Sequence, residues 1–160
     1  MRILGIDPGI GRLGWGIIEK NGQKVSPVIF DCLETDKKLT LPKRLQLIYD
    51  FLSSLLKKEQ VDVVAIEDLF FSNNAKTAFQ VGQARGVVLL VAAQKNLPIF
   101  VYTPLQVKVA VTGYGLAEKR QVGDMVKALL TLPKVPQPDD TADALAIALT
   151  HAFSNAVLTR

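Results

Sequence analysis

Residues 1–20 read MRILGIDPGIGRLGWGIIEK. Strand-like text from Met1 to Ile6 runs directly into an acid, Asp7, and a Pro8-Gly9 break follows at once. A second β-rich piece spans Leu13 to Glu19. A third, Lys24 to Leu33, comes after Asn21-Gly22, the dipeptide that most favours a short hairpin. Three strands joined by tight turns predict an antiparallel meander whose first strand delivers a carboxylate to the edge of the core.

The rest of the chain changes period. Between Pro42 and Glu59, Leu45, Ile48, Phe51, Leu52, Leu55 and Leu56 recur at helical spacing among polar residues, which predicts an amphipathic helix over one sheet face. Val61 to Ile66 reads VDVVAI, a β-branched run of the kind found in buried parallel strands, and it ends on Glu67. After a loop from Asp68 to Asn73, a long helix is expected from about Asn74 to Asn96, then a strand over Leu97 to Thr103. A shorter helix starts at Pro104, a loop holds Gly113 and Gly115, and Glu118 to Leu132 is helical again. Pro133, Pro136 and Pro138 make a stiff extended link, and a final helix starts near Asp140. Strands first, then alternating helix and strand, predict one α/β domain over residues 1–160. Its five-stranded mixed β-sheet is flanked by α-helices on both faces.

With 160 residues, 49% of them hydrophobic, the chain can bury one sizeable core. The longest apolar runs, Gly86 to Ala93 and Ala144 to Leu149, fall far short of the roughly 20 residues a membrane span needs. The apolar start also lacks a basic leader and a small-residue cleavage site. A soluble, cytoplasmic protein is therefore expected, with no membrane partner. Cys32 is the single cysteine and cannot pair within the chain, which fits a reducing compartment.

The net charge of +4 and pI of about 9.2 are a modest basic excess. From Leu69 through Ala117 there is no acid, while Lys76, Arg85, Lys95 and Lys108 lie in that stretch. Gathered on one surface they would favour phosphate; dispersed, they are ordinary solvated helix faces.

Each acid that stands out has a plain structural role available to it. Asp7 before Pro-Gly is a natural turn residue. Glu67 can face water at a strand end. Asp140 can cap the last helix and Asp143 can sit in its first turn, where the helix dipole favours an acid. Yet the stretch after them, ALAIALTHAF, is apolar nearly all round, so that helix is buried and its acids lie near the sheet. In open α/β sheets ligands gather beyond strand ends, so acids arriving there from distant parts of the chain can converge. Convergence requires a neutralising cation, because like charges raise one another's pKa. An all-oxygen set, with no Cys cluster and a lone His151, suits Mg2+ or Mn2+ and not zinc. A two-metal acidic site implies phosphodiester hydrolysis with water as nucleophile. His151 has no evident partner for a nucleophilic triad.

Six stretches fall in the order of a known family: GIDPG at the start, AIED at Ala65 to Asp68, GQARGV at Gly82 to Val87, TPLQVK at Thr103 to Lys108, AEK at Ala117 to Lys119, and DTADALAIA at Asp140 to Ala148. Together they resemble the RuvC-type Holliday-junction resolvases. The resemblance implies a ribonuclease H-like fold and a homodimeric, Mg2+-dependent endonuclease, with Mn2+ as a possible substitute and two ions per site. Such an enzyme nicks two strands of like polarity across a four-way DNA junction delivered by a RuvA–RuvB branch-migration complex. It places the catalytic and metal-binding acids on Asp7, Glu67, Asp140 and Asp143, with Asp139 making the register locally ambiguous. The aromatic used near the crossover falls on Phe70, with Phe71 adjacent, and basic DNA contacts fall on Lys108 and Lys119, with Arg120 and Lys76 nearby. Asp68 departs from the pattern, where Gln is more usual.

Three other functions share some of these features. A ribonuclease H-like nuclease acting on structured RNA would carry the same acids. D-P-G-I-G also looks like the phosphate loop of actin-like ATPases and sugar kinases, although those close two such domains around ATP. A non-catalytic junction-binding module would not need all four acids. The long helix adds a stripe, Ala78, Gly82 and Gly86, that is either a tight packing contact or a two-fold dimer contact.

Overall fold

The computed structural model of the protein describes residues 1–68 and 75–154, the side chains of 75–77 excepted. The opening hydrophobic text forms β1 (Arg2–Asp7), which pairs antiparallel with β2 (Arg12–Asn21), and β2 pairs antiparallel with β3 (Lys24–Glu34). The turn between β2 and β3 sits one residue later than Asn-Gly suggests. Asn21 pairs with Lys24, and Gly22 takes the first central position at φ +62°, a backbone conformation natural to glycine. Pro27 lies on the outer strand where the β2–β3 register shifts, the place in a sheet where a residue without an N–H is tolerated.

On the other side of β1 the pairing becomes parallel, first with β4 (Val63–Glu67) and then with β5 (Ile99–Tyr102). The strand order is β3-β2-β1-β4-β5, so the strands that carry Asp7 and Glu67 are neighbours at the middle of the sheet. This is the expected five-stranded mixed sheet.

Alternation along the strands divides the core in two. Leu4, Ile6, Trp15, Ile17, Val64 and Ile66 pack under α1 (Leu41–Lys58) and α2 (Ala75–Gln94). Ile3, Ile18, Val63, Ala65 and Tyr102 pack under α3 (Pro104–Thr112), α4 (Lys119–Leu129) and α5 (Asp139–Phe153). Because side chains alternate, Asp7 and Glu67 face the second layer with Ile3 and Ala65. Helix α5 is buried along most of its length, as its apolar sequence requires.

Two starts in that layer are written into the sequence as caps. Thr103 N donates to Gln106 Oε1 at 2.8 Å and Gln106 N donates back to Thr103 Oγ1 at 3.2 Å, a capping box followed by proline. Glu118 N likewise donates to Gln121 Oε1 at 2.7 Å. Thus part of the TPLQVK and AEK text encodes helix starts.

The expected cap at Asp140 is corrected. Pro138 is the N-cap residue of α5, so Asp139 and Asp140 lie inside the first turn and Asp143 falls in the second. His151 is buried at 2% exposure, with its Nδ1 2.7 Å from Tyr102 Oη. Among the described residues no helix is long and apolar enough to cross a membrane.

Candidate active site

Glycines set the height of α5 above the sheet. A Cβ on Gly5 of β1 would fall 2.1 Å from the Ala144 carbonyl oxygen, and one on Gly14 of β2 would fall 1.9 Å from that of Asp140. With hydrogen in those places the helix backbone rests directly on β1 and β2. Its N-terminal acids are thereby carried to the end of β1 where Asp7 stands, since Asp7 pairs with Gly14 in register. Glu67 comes from the next strand over, one residue beyond the Ile6–Ile66 pair.

The acids feel one another strongly. Asp7 is pushed up to about 7, first by burial and then by the charges of Asp143, Glu67 and Asp140, with Lys119 acting in the opposite direction. Glu67 is raised by burial and by Asp143, again against Lys119. Asp143 is raised because burial outweighs both its hydrogen bond from Lys119 and that residue's charge. For Lys119 itself, burial lowers the pKa, but the hydrogen bond to Asp143 and the charges of Asp143, Asp139 and Asp7 raise it overall.

Two cations answer this field. Lys119 Nζ lies 2.8 Å from Asp143 Oδ2 and 3.7 Å from Asp139 Oδ2. Arg12 Nη1 lies 3.4 Å from Asp140 Oδ2. The three acids at the start of α5 thus each carry a counter-ion, whereas Asp7 and Glu67, on the strands, have none in contact among the described residues.

Among the described residues no three acidic, His or Cys side chains are grouped closely enough to hold a metal ion as they stand. The α5 acids are held toward Lys119 and Arg12. The donor set still fits a hard divalent cation: it is all oxygen, and its charge is met here by an ammonium and a guanidinium. Asp139 stands differently from Asp140. Its side chain is 62% exposed against 28%, and Asp140 but not Asp139 is among the charges that raise Asp7.

The expected DNA contacts are distributed unevenly. Lys119 is in the site. Arg120, on the next position, points to Asp124 at 3.8 Å and is 91% exposed. Lys108 is half-buried on α3 and makes no ion pair among the described residues. Phe70, Phe71 and the side chain of Lys76 lie outside the described residues. The acid-free stretch does not form one positive face. Arg85 pairs with Asp68 at 3.8 Å, so the departing acid finds a counter-ion on α2. Lys95 sits beyond the far end of α2 beside Lys57 and Lys58, about 28 Å of helix rise from Lys76.

Residue-pattern reasoning passed over three features. Arg12 looked like an ordinary strand residue. Gly14 and Gly16 lie at alternate positions of a strand, and that was the available signal, because glycine weakens a strand and marks close approach of another backbone. Thr35 and Arg44 carried no signal. Thr35 N donates to Gly11 O at 3.0 Å, its hydroxyl donates to Ile10 O, and Arg44 Nε donates to Thr35 Oγ1 at 2.8 Å. They brace the turn that follows Asp7.

The small-residue stripe of α2 faces away from the sheet. The buried side of that helix is Ala84, Val88, Val91 and Ala92, whereas Gly86 is exposed, with nothing among the described residues within 4 Å of where its Cβ would be. Phe79 and Leu90 stand near it at 70% and 52% exposure.

The chain is similar to known proteins over nearly its whole length. The family model for crossover junction endodeoxyribonuclease RuvC matches residues 3–151. The chain is 54% identical over 160 residues to the crossover junction endodeoxyribonuclease RuvC of Desulfitobacterium hafniense, covering 100% of this chain and 97% of the relative. It is 54% identical over 148 residues to the same enzyme of Thermosipho melanesiensis, covering 92% and 94%. Among solved structures, T. thermophilus RuvC in complex with Holliday junction substrate superposes with a TM-score of 0.91 at 38% identity, covering 96% of this chain and 93% of that one.

Proposed function

The chain belongs to the RuvC family of crossover junction endodeoxyribonucleases and resolves Holliday junctions in DNA recombination and repair, and we propose that Asp7, Glu67, Asp140 and Asp143 are the carboxylates that carry its chemistry. The observation behind this assignment is the state of Asp7. A carboxyl pushed to about 7 by burial and by three other acids is one whose ionisation the fold opposes until a cation arrives.

The same four acids would hold Mg2+, or Mn2+ in its place, at two positions per site. When bound, the ions supply Lewis-acid stabilisation of the charge on the phosphate and on its attacking and leaving oxygens. The protein's own part is to arrange charge. Asp7 gives up the proton on its carboxyl as the site fills. Lys119 leaves Asp143 and presents its ammonium to the scissile phosphate, a charge-assisted contact that strengthens as negative charge develops there. Burial around Asp7 and Glu67 keeps bulk water from screening these interactions.

Lys108, Arg120 and Lys76 extend the phosphate contacts, and Phe70 with Phe71 stacks on bases opened at the crossover. Two copies of the chain act on one junction, one site for each of two strands of like polarity, with the outward stripe of α2 at their contact. A RuvA–RuvB branch-migration complex delivers the junction.

The test is a synthetic four-way junction with mapped cut sites. Wild-type protein with Mg2+ should nick two strands symmetrically. Asp7→Asn should bind the junction and leave it uncut; robust cleavage by that variant would remove Asp7 from the site.

A further inference from the structure

Arg12 is the first residue of β2, placed just after the turn that follows Asp7. The backbone there is held firmly, through the Thr35 contacts to Gly11 and Ile10 and the Arg44 contact behind Thr35. The side chain is held loosely. Its guanidinium lies 3.4 Å from Asp140 and its Nε 3.6 Å from Glu34, the residue opposite it on β3, and it is 55% exposed. Neither contact is the short paired fork that arginine makes when it locks a carboxylate. Single long contacts at an exposed site are weak and exchangeable. The Lys119–Asp143 contact, at 2.8 Å, is shorter by more than half an ångström.

We propose that Arg12 is a counter-ion latch: it holds Asp140 in the DNA-free enzyme and passes its charge to a backbone phosphate of the junction on docking, which frees Asp140 for a divalent cation. A fixed anchor and a mobile charged end are what such an exchange requires. A guanidinium released by Asp140 keeps Glu34 on one side, and its remaining donors already face solvent. DNA phosphate presents the geometry those donors bind best. The latch also keeps the site from loading cations idly, because a positive charge beside Asp140 opposes a divalent ion there. Arg12 is a positioning residue in this scheme, acting through Asp140 and through the register of the DNA.

The latch rests on the assignment of the four carboxylates, and the experiment separates the two. Mn2+ binding to DNA-free protein is measured by calorimetry for wild type, Arg12→Gln and Arg12→Lys. Junction binding in EDTA is measured by fluorescence anisotropy from low to moderate salt. Arg12→Gln should bind Mn2+ about 3- to 10-fold more tightly, because one opposing charge has left the site. It should bind the junction more weakly, with a salt slope lower by about 1, the signature of one lost phosphate contact. Arg12→Lys should keep the wild-type salt slope. A purely structural role for Arg12 would weaken both kinds of binding together, and that result, or unchanged Mn2+ affinity, overturns the latch. Absence of Mn2+ binding in wild type and in Arg12→Gln alike would overturn the carboxylate assignment and the latch with it.

Discussion

The carbonyl oxygen of Asp140 occupies the space that a Cβ on Gly14 would need, at 1.9 Å from its position. Two backbones, one from β2 and one from α5, therefore touch with no side chain between them, and the geometry of the proposed site depends on that contact. Gly14→Ala cannot be absorbed by a flexible side chain, since the clash is with backbone. The helix end must lift away from Asp7. We expect a loss of about 1–3 kcal/mol of stability, the range for overpacking, read by thermal or denaturant melts. Nicking should fall far more than that stability loss explains, because Asp140 and Asp143 leave their places over the strand ends.

Lys119 is the cation closest to the acids, and replacing it separates charge from shape. Lys119→Met keeps the stem and removes the ammonium. Steady-state nicking of a four-way junction should fall by about 10²- to 10³-fold in kcat, the size of effect seen when one preorganised donor to developing charge is lost. Junction affinity should change little by comparison, since Lys119 is one of several proposed phosphate contacts.

Asp7 makes the metal-free protein sensitive to pH with a definite sign. Its folded pKa of about 7 stands above the ordinary aspartate value of 3.8, so the folded state holds a proton that the unfolded chain releases. Stability is then greatest below the lower value, falls as pH rises from about 4 to 7, and levels off above that. Glu67 and Asp143 are raised too and add to the fall. Thermal midpoints in EDTA should trace this decline, which for Asp7 amounts to a few kcal/mol on an order-of-magnitude basis. Asp7→Asn should flatten much of it and melt at a higher temperature than wild type at pH 8. Added Mg2+ should flatten it in wild type alone.

The fold was legible wherever local pattern and burial agreed. β-rich pieces divided by turn signals up to Leu33 and the β-branched run Val61 to Ile66 gave the strands, and helical spacing gave α1. The identity of the four acids was legible only in combination, since each had an ordinary role when taken singly. Their spacing in space was not legible at all. It depends on where an ammonium and a guanidinium settle among unneutralised carboxylates, and nothing in residue periodicity encodes that balance. Arg12 escaped notice for the same reason: it touches Asp140 across 128 residues of sequence. The acid-free stretch left two readings open because absence of acids along a chain does not bring its bases together, and a 20-residue helix holds Lys76 and Lys95 apart.

The outward face of α2 yields the last prediction. Among the described residues Gly86 has no neighbour that would explain a helix-weakening glycine, and Leu90 and Phe79 leave large apolar surfaces beside it in water. A second copy of the chain would cover all three, and a two-fold contact counts each residue twice. Burying a leucine side chain is worth about 1.5–3 kcal/mol. Losing it from both subunits in Leu90→Glu should therefore weaken dimerisation by roughly 3–6 kcal/mol, or about 10²- to 10⁴-fold. Like charges facing across the axis add to this. Light scattering should report a monomer at concentrations where wild type is a dimer, with an unchanged circular dichroism spectrum because Leu90 is half exposed within the subunit. Junction cleavage should then uncouple, giving products nicked on one strand where wild type gives paired symmetric cuts. A Leu90→Glu protein that remains dimeric and cuts both strands in concert would place the dimer contact elsewhere on the molecule.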